Sequence, residues 1–136
     1  MEAILRSPRT FKPSSARSGI TQFSGDAPVT TTDNTATVIA SLPLAELEAV
    51  AFDALVLGRK SDHSACIVAK ISGAARRASG GNVTLIGTPT VTIQESGAST
   101  DFAVAANTTA QTVEFKGTGI SAETWVWELF GTKFSV

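Results

Sequence analysis

The sequence predicts an all-β protein: an antiparallel β-sandwich of jelly-roll or Ig-like type, with about eight strands and an extended N-terminal arm. From Thr35 onward, short runs rich in β-branched and aromatic residues recur at nearly regular spacing, and Gly, Pro, Asn and Ser residues bound them. Within GGNVTLIGTPTVTIQES, residues 80–96, apolar and small polar residues alternate, as they do in half-buried strands. Residues 1–34 show no sustained period of either strand or helix, and 136 residues suffice for one core.

The first element is the arm, residues 1–34, and the second is the β-sandwich domain, residues 35–136. The arm contains three prolines and many Ser, Thr and Gly residues, and its apolar residues occur singly or in pairs. Such a segment cannot build a core, so it is either a disordered tail or a strap that lies along a partner. Its first 25 residues carry four basic side chains and one acidic side chain, which favours an acidic partner. The residues predicted to bind that partner are Ile4, Leu5, Arg6, Arg9, Phe11, Lys12, Arg17 and Phe23.

Eight strands are predicted within the domain, because each run has strand-type residues between turn-forming ones. The best helical alternative is LPLAELEAV, residues 42–50, but it spans barely two turns after Pro43, and we predict a turn there. The strands are 35–42 (TATVIASL), 49–58 (AVAFDALVLG), 65–76 (ACIVAKISGAAR), 82–87 (NVTLIG), 90–95 (TVTIQE), 101–106 (DFAVAA), 111–117 (QTVEFKG) and 123–134 (ETWVWELFGTKF).

Two of these strands indicate which of their faces is buried. In 111–117, Val113 and Phe115 alternate with polar residues, which is typical of a strand with one face in water, so both are predicted core residues. The last strand has Trp125 and Trp127 on one side and Phe130 on the other, so both of its faces are predicted to be covered. Another subunit would supply one cover, and these three residues are predicted to belong to the subunit interface or the core.

Composition excludes several classes of function. The net charge of −1 argues against binding nucleic acid, which requires a concentrated basic face. Cys66 is the only cysteine, so an intrachain disulfide or a multi-cysteine zinc site is excluded, as expected for a protein made in a reducing cytoplasm. We find neither the pattern of a signal peptide nor an apolar run that could cross a membrane, and we predict no metal and no cofactor.

The candidates for catalysis are few. His63 is the only histidine, and Asp62, His63 and Cys66 could form a nucleophile beside a base. The alternative is a polar connection between two strands, with Cys66 pointing into the core. GTGISA, residues 117–122, matches a dinucleotide-binding pattern, but that motif needs a helix to begin there, and the strand ETWVWELF follows instead. We therefore predict a non-enzymatic protein.

Other charged positions have structural explanations. Glu46 with Glu48, or Asp101 with Glu114, could supply the two carboxyl groups that a glycosidase needs, but we expect solvated side chains at these positions. Arg76 and Arg77 form the densest basic spot of the domain, at the predicted end of a strand. We expect a solvated strand end there, and the alternative is a site for an acidic partner or a sugar acid.

The order of several short motifs resembles a β domain of bacteriophage virion proteins, over roughly residues 36–136. These motifs are LVLGRKSD (55–62), ACIVAKISGAARRASG (65–80), GGNVTLIGT (80–88), VEFKGTG (113–119) and TWVWELF (124–130). Similar domains occur at the ends of tail fibres and tail spikes and in head fibre and capsid decoration proteins.

The resemblance implies a homotrimeric structural component of a virion, assembled in the host cytoplasm. Its expected partners are the major capsid protein or other virion proteins, and the expected role is a capsid decoration (cement) or head fibre protein. The alternative is a tail fibre or receptor-binding module that recognises host surface glycans through Arg76, Arg77 or exposed loops.

Overall fold

The computed structural model describes residues 20–25, 28–96 and 100–136, which form ten β-strands in two antiparallel sheets. No helix occurs within these ranges. The predicted β-sandwich is confirmed, and the eight strands predicted from Thr35 onward are present with ends within two residues of the predicted ones. The strands are β1 (Ile20–Ser24), β2 (Val29–Thr31), β3 (Ala36–Pro43), β4 (Glu48–Lys60), β5 (Cys66–Arg77), β6 (Val83–Leu85), β7 (Thr90–Ser96), β8 (Asp101–Asn107), β9 (Thr112–Thr118) and β10 (Trp125–Ser135).

The larger sheet has seven strands built around three long ones. β4 lies at its centre and pairs with β10 on one side and β5 on the other. β1 and β2 both pair with the free edge of β10, and β6 and β7 both pair with the free edge of β5. Each edge of this sheet therefore consists of two short strands that pair with the same long strand.

The interruption between β6 and β7 is the Gly-Thr-Pro of residues 87–89. Gly87 has a φ of +68°, in the left-handed region that glycine adopts without a steric cost. Pro89 has no N–H to donate to a ladder. The alternation of residues 80–96 therefore breaks at a bend, and the chain continues along the same neighbour, β5, on both sides of it.

The smaller sheet, β3-β9-β8, covers one face of the larger sheet, and the core lies between the two. As predicted, Val113 and Phe115 of the central strand β9 are fully buried. Phe115 meets the edge of the Phe52 ring from β4, with the ring centroids 5.4 Å apart. Such aromatic contacts add to the burial of apolar area that stabilises the sandwich.

A turn lies within residues 42–50, as predicted. β3 ends at Pro43, a turn follows at Glu46 and Leu47, and β4 begins at Glu48. Leu47 has a φ of 63° and is 75% exposed, so it supplies the sharp reversal without contributing to the core.

Within the predicted arm, residues 20–24 and 29–31 form strands. β1 and β2 pair with β10 and so belong to the larger sheet. The physical reason is that β10 would otherwise present a free edge of unpaired backbone groups, which this segment satisfies. Residues 1–19 lie outside the described part of the chain.

Candidate functional site

The candidate site is the side of the seven-stranded sheet that faces away from the smaller sheet, here called the outer face. Along β10, Trp127 and Leu129 are buried whereas Phe130 is 53% exposed. Along β4, Val56 is buried whereas Leu55 and Leu57 are 49% and 52% exposed. Because successive side chains of a strand point to opposite faces, these exposed residues share the outer face.

The strand register brings the exposed apolar residues together. Leu55 lies directly opposite Phe130 of β10 on one side and Lys70 of β5 on the other. In the next row, Leu57 lies between Glu128 and Val68. Directly opposed side chains in an antiparallel pair are close neighbours. Leu55, Leu57 and Phe130 therefore form a continuous patch, here called the apolar strip.

Two further apolar residues extend this surface towards the end of β10. Ile20 of β1 lies opposite Phe134, and the two side chains are 58% and 46% exposed. The sequence analysis predicted a covered second face for β10 from Phe130, but it did not single out Leu55, Leu57, Ile20 or Phe134. The available signal was DALVLG, in which two leucines occupy positions that would be polar in a strand with one face in water.

A shallow groove of about 430 Å³ runs beside the apolar strip. Asp53 and Lys70 contribute charged groups to it, and the Ser72 hydroxyl donates a 2.7 Å hydrogen bond to the Asp53 carboxylate. The groove is open and mostly apolar, so its shape suits a broad contact better than an enclosed ligand. Its lining is Asp53, Ala54, Leu55, Lys70, Ile71, Ser72, Thr90, Thr92, Phe130, Gly131 and Thr132.

Charges of both signs flank the apolar strip. Glu128 lies on the β10 side and Lys70 on the β5 side, and both are exposed. Asp53 and Arg59 lie on β4 itself, on either side of the two leucines. The outer face thus combines an apolar centre with charges of both signs beside it.

The two tryptophans lie on the opposite face of β10, where both are fully buried in the core. Their ring centroids are 6.1 Å apart. The Trp127 indole N–H donates to the Thr31 hydroxyl of β2, and the Trp125 indole N–H donates to the Glu123 carboxylate, each at 3.0 Å. Trp125 and Trp127 are therefore core residues, and of the three predicted core or interface residues only Phe130 is on the outer face.

Phe23, which the sequence assigned to a partner-binding arm, packs inside its own domain. Its ring centroid lies 5.6 Å from that of Phe115, and it is partly buried against the core. It lies opposite Gly131, where the missing side chain leaves room for the ring. Phe23 thus contacts the core of its own domain, and its predicted contact with a partner stays a prediction. The other predicted arm residues lie outside the described residues: Ile4, Leu5, Arg6, Arg9, Phe11, Lys12 and Arg17.

Asp62, His63 and Cys66 lie in and just after the tight turn between β4 and β5, without the arrangement of a nucleophile and its base. The Asp62 carboxylate accepts hydrogen bonds from the Ser64 hydroxyl at 2.7 Å and the Ser64 N–H at 2.9 Å. These two bonds lower the pKa of Asp62 below its ordinary value of 3.8. Cys66 is exposed at the start of β5, so the expectation that it points into the core is wrong. Ala65 and Ile67, its neighbours in sequence, take the buried positions instead.

The dinucleotide-like stretch GTGISA connects β9 to β10 and starts no helix. Its two glycines allow core side chains to pack directly against the backbone. A Cβ on Gly117 would lie 3.0 Å from the Trp127 ring, and one on Gly119 would lie 2.6 Å from the Thr31 hydroxyl oxygen. This stretch is a strand connection packed on buried side chains.

The carboxylates considered for acid and base chemistry bind to their own neighbours. The Glu48 carboxylate accepts from the Ala45 N–H at 2.9 Å, and that of Glu114 accepts from the Asn107 amide at 2.7 Å. The Asp101 carboxylate accepts from the N–H of Phe102 at 2.8 Å. Across the described ranges, no three His, Cys, Asp or Glu side chains are grouped as metal ligands would be.

Arg77 is held within the domain, whereas Arg76 is exposed. The Arg77 guanidinium donates to the carbonyl oxygens of Gly81 and Leu44 and lies 3.9 Å from the Glu46 carboxylate. Only Arg76 of the basic pair is thus free to meet a ligand from the end of β5.

In the part of the chain covered by the structure, no helix is long and apolar enough to cross a membrane.

Comparison with known proteins finds a likeness in fold and none in sequence. No protein-family model matches the chain, and no curated protein matches it. Among solved structures, the chain is similar to the tailspike protein of Acinetobacter baumannii phage AM24, with a TM-score of 0.53 and 10% sequence identity. The match covers 98% of this chain and 28% of the tailspike chain, so this chain spans little more than a quarter of that protein. At this identity the likeness is one of fold alone.

Proposed function

We propose that the protein is a structural component of a bacteriophage virion and acts as a capsid decoration or head fibre protein. The observation that carries the proposal is the likeness in fold to a phage tailspike over nearly the whole chain. The order of sequence motifs supports the same class of protein independently. In this proposal the protein is not an enzyme, and it works by binding to other virion proteins.

The N-terminal residues before β1 are the part proposed to bind the particle. β1 and β2 fix residues 20–24 and 29–31 to the domain, so the binding segment in this proposal is shorter than the arm predicted from the sequence and comprises residues 1–19. This segment carries all four basic residues of the chain's first 25 positions. A decoration protein that binds only the assembled shell stabilises that shell by mass action.

The test is deletion of residues 1–19, which leaves every strand of the described residues in place. The truncated domain is expected to keep its circular dichroism spectrum and its oligomeric state, while losing co-sedimentation with particles of the phage that encodes it. A matched variant retains the segment and replaces Arg6, Arg9, Lys12 and Arg17 with Gln, which separates charge from length. Binding of the truncated protein at full strength would refute the role of the segment.

A second candidate function is recognition of host surface glycans as part of a tail fibre or tailspike. The likeness in fold to a tailspike favours it. Arg76 is the exposed basic side chain that would meet an acidic sugar. A glycan array distinguishes the two candidates, because a decoration protein should bind no glycan whereas a receptor-binding module should bind a defined set and lose binding in Arg76→Ala.

The proposal that the protein is not an enzyme is tested at the residues singled out for chemistry. We expect no esterase or glycosidase activity in the purified chain. If activity were found and the double variant His63→Ala with Cys66→Ser abolished it, an enzymatic role would replace the structural one.

A further inference from the structure

We propose that copies of this chain associate through the outer face, with the apolar strip at the centre of the contact. This inference goes beyond the proposed function and does not rest on it: two copies pack their outer faces together about an axis that runs along the strands. The occupant of the outer face is thus another copy of the same chain.

The first argument is the amount of apolar surface. Leu55, Leu57, Phe130, Ile20 and Phe134 are each 46–58% exposed, and all lie on the outer face. Leu55, Leu57 and Phe130 are contiguous, and the row of Thr132 and Asp53 separates them from Ile20 and Phe134. Contiguous exposed apolar patches on soluble proteins often mark contact surfaces. The core between the two sheets is complete without these side chains, so the domain does not need them to fold.

The second argument is the size of the face. The row β1-β10-β4-β5-β7 is about 20 Å wide, because strands lie about 4.8 Å apart. About nine residues of each long strand cover about 30 Å, so the face has a projected area of roughly 600 Å². Its accessible area is larger because the side chains project from it. A stable interface buries about 800 Å² on each partner, which this face can provide.

The third argument is that the charges complement themselves. Glu128 lies on the β10 side of the apolar strip and Lys70 on the β5 side. A symmetry axis along the strands brings the β10 side of one copy opposite the β5 side of the next. Glu128 of each copy then lies one row, about 7 Å along the strands, from Lys70 of its neighbour, within reach of the long lysine side chain, while the apolar strips meet near the axis.

The charges of this face include both signs. Around the apolar strip Asp53 and Glu128 offset Arg59 and Lys70, and Arg76 adds one positive charge at the far end of β5. An apolar centre with charges of both signs beside it fits a second copy of the same surface.

The first experiment removes the apolar centre. Leu57→Ser and Phe130→Ser are made in the full chain, and the mass is measured by sedimentation equilibrium over a concentration series. We expect each variant to dissociate at concentrations where the parent chain is assembled, with at least about 30-fold weaker association, as for a central contact residue. The control is Leu47→Asn, which replaces a residue that is 75% exposed but lies in a turn away from the outer face, and its mass should equal that of the parent.

The second experiment reverses the flanking charges. Glu128→Lys alone and Lys70→Glu alone each place like charges opposite one another and should weaken association, whereas the double variant should restore it. This restoration distinguishes a direct contact from general damage to the fold. A native circular dichroism spectrum in all three variants confirms that folding is retained.

The outcomes separate this inference from the proposed function. If the parent chain is assembled and the serine variants remain equally assembled while folded, the inference is overturned. A parent chain that is monomeric but binds a glycan, and loses that glycan in Phe130→Ser, also overturns it, because the outer face is then a ligand site. If the variants dissociate as expected but the protein is absent from virions, the interface stands and the proposed function fails.

Discussion

Trp127 depends on close contacts that only glycine permits. A Cβ on Gly58 would lie 2.7 Å from the Trp127 ring and 2.8 Å from the Ile67 side chain, and Gly117 approaches the same ring. On its polar edge, the indole N–H has its partner in Thr31. The sequence predicted a core or interface role for this tryptophan, but not which glycines make room for it, because β4, β9 and β10 come together only through long-range pairing.

Gly58→Ala should therefore destabilise the domain. The added methyl group would lie closer to the ring than real side chains come, and overpacking of this kind costs about 1–3 kcal/mol. The control is Gly81→Ala, where the nearest atoms are 3.4 Å from the added Cβ and the change should stay within about 0.5 kcal/mol. Urea unfolding followed by tryptophan fluorescence measures both. Equal stability of the two variants would contradict the packing described for Trp127.

At the scale of the elements, β10 organises the larger sheet. It pairs with β4 along its whole length and with β1 and β2 along its other edge. The eight strands after residue 35 were predictable, because each carries its own alternation between turn residues. β1 and β2 were not predicted, since five and three residues carry too little periodicity, and only the free edge of β10 makes them strands.

Phe23→Ala should loosen β1 from that edge. The ring is partly buried against Phe115, so we expect a loss of about 2 kcal/mol, below the roughly 3–5 kcal/mol of a fully buried phenylalanine. Amide hydrogen exchange should accelerate at residues 20–24 more than in β4 or β5. Thr21→Ala, at an exposed position of the same strand, should leave exchange nearly unchanged. If Phe23→Ala left the exchange of β1 at the parent rate, Phe23 would not be what holds this strand.

At the scale of the whole molecule, one face of the larger sheet is buried and the other is exposed. One face closes the core against the smaller sheet, and the other presents Leu55, Leu57 and Phe130 to the surroundings. The sequence predicted a second cover for β10 from Phe130, and that cover remains a prediction. The extent of the outer face could not be predicted, because it depends on the register that aligns β10, β4 and β5.

The mass of the intact 136-residue chain in solution tests the central claim most directly. Multi-angle light scattering on the purified protein measures it without any mutation. Two copies of a 14.1 kDa chain joined through their outer faces should give about 28 kDa at micromolar concentrations, and a larger assembly a higher multiple of the chain mass. A mass that stays at that of a single chain across the accessible concentration range would contradict the claim that this face joins copies of the protein.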